Sequence, residues 1–309
     1  MKRILDCAAS DFAKMKPREL KESIRAAEGR TVLAETIAGA PPLVNHTTNS
    51  EIAKAYGADM NILNMYDVFH PSIAGIDELL EAHGETNPIR LLKKLTGIPV
   101  GINLEPVDVD ARPLEELEHL PVGRTAADET VDKAVADGID MICLTGNPKT
   151  GVTNDEIARA IERIRARHGD NVFIIAGKMH SAGAAGEAGA GIITPDDTAR
   201  FAEAGADVLL LPAPGTVPGI TVDTVRPLID AAHRAGLLTM AAIGTSQEGA
   251  AADTVRDIAL MNKMAGFDIH HIGDAGHTGI AVPENIESLS VAVRGRRHTL
   301  ARMAASALR

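Results

Sequence analysis

His168 to Ala176 reads HGDNVFIIA: a glycine, two polar residues, then a short run that is apolar at every position. Such a run lacks the alternation of a half-solvated strand and has the pattern of a parallel strand covered on both faces. The glycine stands where a helix would close in the left-handed backbone region, which glycine enters without steric cost. The same unit recurs along the chain, at Gly29 (EGRTVLAET), Gly57 (YGADMNILN), Gly97 (TGIPVGINL), Gly138 (DGIDMICLT), Gly169, Gly205 (AGADVLLLP), Gly236 (AGLLTMAAI) and Gly266 (AGFDIHHIG). Spacings of 28, 40, 41, 31, 36, 31 and 30 residues fit a βα repeat, and eight repeats predict a closed (β/α)8 TIM barrel. A doubly wound open sheet would bring fewer units and a dinucleotide fingerprint after its first strand. Here AGAPPLVNHTTNSE follows the first strand, and the glycine-rich GDAGHTG lies at the far end with the wrong spacing.

The expected organisation is one domain: an N-terminal capping helix within 1–29, the barrel over 30–282 and a helical extension over 283–309. Pro17 at a first turn and Gly29 past the end bracket the capping helix, which is expected to close the barrel bottom. The extension, PENIESLSVAVRGRRHTLARMAASALR, reads as two helices broken near Gly295. Its Arg294, Arg296, Arg297, Arg302 and Arg309 fit a solvated or oligomer-facing helix better than a basic docking patch.

A net charge of −11 argues against a nucleic-acid partner, since phosphate backbones need a basic face, and five Phe, two Tyr and no Trp leave few stacking platforms. Cys7 and Cys143 make no disulfide framework, which suits a reduced, cytoplasmic chain. No run of 18 apolar residues predicts a membrane span. A homo-oligomer is expected.

In such barrels catalytic groups stand at the C-terminal ends of strands. After Ala176 the fifth strand reaches Lys178 and His180. Ile174, Ala176 and Lys178 share a face by strand alternation, so the ammonium is expected to point into the barrel mouth. There it could form a Schiff base, hold an anionic oxygen, or pair structurally with Glu35 or Glu105. The catalytic candidates are Lys178, Glu35, Glu105 and His180; those for substrate binding are Asn64, Asp67, Asn103, Thr145, Asn147 and Asp274. Gly244, Thr245 and Ser246 in GTSQEG, with Gly273 and Gly276 in GDAGHTG, are candidates for a phosphate site, although Asp274 would repel an anion placed at the same point.

His180, His270, His271 and His277 with Glu35, Asp67, Glu105 and Asp274 could hold a divalent metal, but no compact ligand spacing is present, so no cofactor is expected. Of the adjacent His270 and His271 only one can face inward. His46 is expected in the first loop, where Thr48 or Asn49 caps the next helix. Asp108 and Asp110 in NLEPVDVDAR imitate a dehalogenase nucleophile motif, but Arg112 stands where that motif needs Thr or Val, and Pro106 separates the pair from the strand. The Ala/Gly segment between His180 and Thr194 is expected to act as a lid beside Lys178, with Thr194, Pro195, Asp196 and Asp197 starting the next helix.

The segments ICLTGNPKTGVTN, IIAGKMH, AIGTSQEGA, DIHHIGDAGHTGI and RGRRHT resemble, in order and over nearly the whole chain, a bacterial barrel family of unassigned function. Its members are often labelled haloacid dehalogenase-like or phosphonomutase-like and are found near sugar phosphotransferase genes. The resemblance implies a cytoplasmic barrel of sugar or sugar-phosphate metabolism and carries no established catalytic residues. The expectation is an aldolase-type lyase acting on a small phosphorylated sugar or keto acid through Lys178. The alternatives are a phosphosugar isomerase or epimerase using acid–base pairs and a non-catalytic sugar-phosphate sensor.

Overall fold

Each of the eight glycines has positive φ, from 53° at Gly169 to 108° at Gly57, and each is followed within a few residues by a strand. The computed structural model describes residues 1–110, 116–147, 149–181 and 186–309. Its strands are β1 (Thr31–Ile37), β2 (Met60–Asn64), β3 (Val100–Leu104), β4 (Met141–Leu144), β5 (Phe173–Gly177), β6 (Val208–Pro212), β7 (Leu238–Ile243) and β8 (Ile269–Ile272). They pair in parallel in sequence order, and β8 closes on β1 with Leu33 opposite His271. The chain is a (β/α)8 barrel. The helices are α1 (Ala9–Phe12), α2 (Pro17–Arg25), α3 (Asn49–Ala55), α4 (Pro88–Thr96), α5 (Asp128–Asp137), α6 (Asn154–His168), α7 (Pro195–Ala204), α8 (Val222–Arg234), α9 (Ala252–Ala265) and α10 (Pro283–Met303). Among the described residues no helix is long and apolar enough to cross a membrane.

Two apolar layers fix which way each strand residue points. Leu33, Ile62, Cys143, Phe173, Ile175 and Met240 fill the barrel interior together with Ile4, Phe12, Leu20 and Ile24, so the first 30 residues plug the bottom. Val32, Ile102, Ile142, Ile174 and Ala176 face outward and pack with helix residues such as Ile157, Ile161 and Phe201.

A fourfold device organises the bottom rim. Asp59, Asp140, Asp207 and Asp268 each lie two residues after a helix-closing glycine, just before β2, β4, β6 and β8. Each carboxylate accepts the N–H near the start of the strand one earlier: Val32 at 2.9 Å, Val100 at 2.9 Å, Ile174 at 3.0 Å and Thr239 at 2.8 Å. Each also meets a basic side chain: Arg294 and Arg302 at Asp59, Lys93 at Asp140, Lys21 and Arg165 at Asp207, and His233 at Asp268. The sequence places a G-x-D triplet in alternate units, which makes the barrel a fourfold repeat of strand pairs.

This device corrects the reading of the C-terminal arginines. The α10 backbone does break at Gly295 (φ 76°), but Arg294 and Arg302 are buried beneath the barrel. Arg302 also donates to Ile4 O at 2.7 Å and to Cys7 O at 3.2 Å, and lies over the Phe12 ring at 5.3 Å. The extension thus clamps the N-terminal plug. Burial pushes the Asp59 carboxyl up, yet the two guanidinium groups win and hold it below its usual range.

Candidate active site

At the opposite rim the strand ends surround a cavity of about 580 Å³. Glu35 comes from β1, Asn64 and Met65 from the end of β2, Asn147 from the β4 loop, and Met179 and His180 from the end of β5. The β7 loop brings Gly244, Thr245, Ser246 and Glu248, and the β8 loop brings Gly273 to Gly276. Of the six described non-glycine residues with positive φ, Met65, Ser246 and Ala275 are all on this lining, so the rim holds backbone away from its relaxed range.

Two polar systems meet here. Glu35, 4% exposed, places Oε2 3.0 Å from Nε2 of His271, which points into the barrel as its parity with Ile269 requires. The second system is a chain of side chains. Arg124 donates to Glu105 at 3.2 Å, and the Asn147 amide donates to Glu105 at 2.9 Å while the Asn147 N–H donates to its other oxygen, also at 2.9 Å. Asn147 and Asn64 then exchange amide hydrogen bonds at 3.1 Å, and Asn64 donates to Asp274 Oδ2 at 2.9 Å. Gly276 N–H donates to the other Asp274 oxygen at 2.9 Å.

These environments separate the titrating groups. Burial, then the nearby Glu35 carboxylate, push Asp274 up to about 6, against the Asn64 and Gly276 hydrogen bonds. Burial pushes His180 down to about 4, with Glu35 opposing, so its imidazole is neutral at pH 7. Burial also pushes the Glu248 carboxyl up, while its own N–H, the His271 imidazole and the Ser246 N–H pull it back.

Ten of the fifteen residues expected at the site line the cavity: Glu35, His180, Asn64, Asn147, Asp274, Gly244, Thr245, Ser246, Gly273 and Gly276. Lys178 does not. Its strand-mates Ile174 and Ala176 lie in the outer layer, whereas Phe173, Ile175 and Met179 lie in the inner one. The ammonium is fully buried between β5 and the surrounding helices and pairs with Glu187, whose carboxylate also accepts the Asn154 N–H at the start of α6 at 3.2 Å. Burial lowers the Lys178 ammonium below its usual value, and Glu187 opposes the change.

Four more of the expected residues lie outside the lining. Glu105 sits behind Asn147, held by Arg124, and orients the amide chain instead of facing the cavity. Asp67 caps its own loop, accepting from Phe69 N at 2.9 Å and His70 N at 3.2 Å. Asn103 and Thr145 are buried and not part of the cavity lining, and Asn103 Oδ1 and Thr145 Oγ1 have no partner among the described residues.

Among the described residues no three His, Cys, Asp or Glu side chains are placed to hold a metal. His270 points outward and meets Gly29 O at 2.9 Å, His46 is exposed in the first loop, and the His277 side chain is outside the described set. Thr48 is the α3 cap, accepting from Glu51 N at 3.1 Å. Asp108 accepts from Thr153 at 2.9 Å, which ties it to the start of α6, and Arg112 lies outside the described residues. In the Ala/Gly segment residues 182–185 also lie outside them. Thr194 begins α7 as expected, accepting from Asp197 N at 3.2 Å. Sequence reasoning missed Glu248. Its signal was a carboxylate five residues after the end of an inner-facing strand, in a loop read only for its backbone.

The family described as Domain of unknown function (DUF7916) matches residues 5–309. The chain belongs to that family. No sequence among the curated proteins matches it. Among solved structures, the DUF7916 chain is similar to an archaeal fructose 1,6-bisphosphate aldolase, at 14% identity, covering 88% of this chain and 96% of that one, with a TM-score of 0.50. It is also similar to the carboxyl transferase domain of Rhizobium etli pyruvate carboxylase with pyruvate, at 14% identity, 96% and 53% coverage and a TM-score of 0.52. A 2,3-dimethylmalate lyase of the PEP mutase/isocitrate lyase superfamily follows at 14% identity, 84% and 81% coverage and a TM-score of 0.48. At these identities the likeness establishes the barrel alone. The expected family is thus a barrel family of unknown function, and the matches carry neither a dehalogenase label nor a link to sugar-uptake genes.

Proposed function

We propose that this DUF7916 barrel is an enzyme of sugar metabolism that moves protons on a small polyhydroxylated carbonyl compound, as an isomerase or epimerase. One observation carries the reading: two of the carboxyl groups that line a single cavity stand in different surroundings. Glu35 lies against His271 at 3.0 Å, and Asp274 is desolvated and pushed up to about 6. Groups set apart in this way divide the work of base and acid.

Glu35 would take the proton from the carbon beside the carbonyl. The electron pair moves into a carbon–carbon double bond, and the carbonyl oxygen gains a proton from Asp274, whose affinity near neutrality suits both holding and releasing it. Returning the proton to the former carbonyl carbon, while the neighbouring hydroxyl gives its proton to Asp274 as the new carbonyl forms, gives the isomer; delivery of a proton to the opposite face of the original carbon by a second acid, while the enol hydroxyl returns its proton to Asp274, would give the epimer. Neutral His180 would steady the developing oxyanion through an N–H without giving up its proton. The Glu105–Asn147–Asn64 chain holds the amide that orients Asp274.

The cavity volume supports a second reading. About 580 Å³ leaves room for both fragments of a cleaved sugar, so the same base could take a hydroxyl proton and drive an aldol-type cleavage. An imine at Lys178 is not part of either reading, because that amine lies in the outer layer. The test follows candidate sugars in deuterium oxide by proton NMR. Deuterium should enter next to the carbonyl with wild-type protein and not with Glu35→Gln or Asp274→Asn. Exchange that survives both substitutions would refute the reading.

A further inference from the structure

Most of the groups expected to bind a phosphate are already engaged. The Gly276 N–H donates to Asp274, the Ser246 N–H faces the Glu248 carboxylate, and the Thr245 hydroxyl donates to Thr216 O at 2.8 Å. The β7 loop is pinned as well, since the Asn285 amide donates to Glu248 O at 2.9 Å and to Ala250 O at 2.8 Å. An incoming phosphate would therefore compete with two carboxylates for those donors. Among the described residues it would also find no compensating cation in the lining, which includes Glu35, Glu248 and Asp274 and neither lysine nor arginine.

Glu248 makes a more specific demand. Its side chain is 5% exposed and lines the cavity, yet Oε2 has no hydrogen-bond partner among the described residues. A buried carboxylate oxygen left without a donor is costly, and although Oε2 itself is closed off, a turn of the Glu248 carboxylate toward the cavity lets a bound ligand supply what the protein withholds. An ammonium group offers three N–H donors and a charge opposite to that of the lining. A hydroxyl offers one donor and no charge, and a phosphate offers the wrong charge.

We infer that Glu248 forms an ammonium subsite and that the ligand of this cavity is an amine-bearing polyol, not a phosphorylated sugar. The inference rests on the cavity being the active site and adds the substrate class to that reading. It replaces the phosphorylated substrate expected from the sequence.

The test is calorimetric titration of the full chain at pH 7 and low salt with three matched probe series. These are hexosamines such as D-glucosamine, the corresponding hexoses, and their 6-phosphates. The amines should bind about tenfold more tightly than the hexoses, the step expected when a neutral hydrogen bond becomes charge-assisted, and the phosphates more weakly than either. Glu248→Gln should erase the preference for the amine. Phosphates binding more tightly than amines, amines failing to bind, or a preference that survives Glu248→Gln would each overturn the inference. If that variant does not fold, the wild-type ranking decides alone, and added salt must weaken the amine while leaving the hexose unchanged. Deuterium exchange confined to the phosphates would sink the ammonium subsite and spare the proton-transfer reading. Amine binding without exchange on any carbonyl sugar would do the reverse.

Discussion

Replacing Asp274 by asparagine removes a charge while keeping its shape, and the thermodynamic consequence can be worked out in advance. The fold lifts this carboxyl from 3.8 to about 6, chiefly by burial. A proton held more tightly in the folded chain than in the unfolded one favours folding at low pH, and the benefit is lost as pH rises through the folded value. Over that span the loss is about 3 kcal/mol, absent below pH 4 and complete above pH 6. Asparagine retains an oxygen for the Gly276 N–H but turns an amide toward the Asn64 amide, a cost of about 1 kcal/mol. The variant should therefore gain about 2 kcal/mol above pH 7 and lose about 1 kcal/mol at pH 4. For a chain of this length about 0.65 kcal/mol per kelvin of unfolding entropy turns the gain into a rise in Tm of about 3 °C. Scanning calorimetry of both proteins from pH 4 to 8 reads the effect. A difference in Tm that does not change with pH, or a variant that weakens as pH rises, would refute the assignment of Asp274 as a desolvated acid.

Glu35→Gln should slow substrate deuterium exchange about 100- to 10,000-fold with little change in Tm; a smaller effect in the NMR rate would remove Glu35 from the role of base. Lys178→Met should leave exchange within about tenfold of wild type, and borohydride with candidate sugars should add no mass to Lys178; a trapped adduct seen by mass spectrometry would return the amine to the mouth. Asp59→Ala strands two buried guanidinium groups and should cost about 3–5 kcal/mol in urea unfolding, whereas a loss below about 1 kcal/mol would mean that the clamp does not hold α10 to the plug.

The barrel was legible because its signal is local. A glycine in the left-handed region closes a helix whatever lies around it, and the eight glycines therefore mark the eight strand entries. The facing of Lys178 was not legible, for a reason rooted in the same architecture. A strand covered on both faces is apolar on both, so FIIAG contains nothing that distinguishes inside from outside. Packing of Phe173 and Ile175 among the plug residues decides the parity, and that contact is made with chain more than a hundred residues away. Where one face carries a polar residue, as at Glu35 in β1, the inward position was visible. The G-x-D triplets were local too, but their meaning lies in a hydrogen bond to the preceding strand, which no single unit displays.

The distribution of counter-charges then separates the two rims. Every aspartate of the bottom device has a basic partner, and each carboxylate also accepts a strand N–H, as a group kept for stability should. At the mouth the same distinction divides the acids among themselves. Glu105 has Arg124 and lies behind the lining. Glu35 has an imidazole, Asp274 has an amide and a backbone N–H, and Glu248 Oε2 has no partner among the described residues. Carboxylates left without a basic partner in a desolvated cavity raise the energy of the empty protein, and among the described residues Asp274 and Glu248 have no such ion pair, in contrast to every aspartate of the bottom device. Lys178 makes the point most directly: the cation nearest in sequence to the mouth is committed to Glu187 in the outer layer, which agrees with the inferred ammonium-bearing ligand.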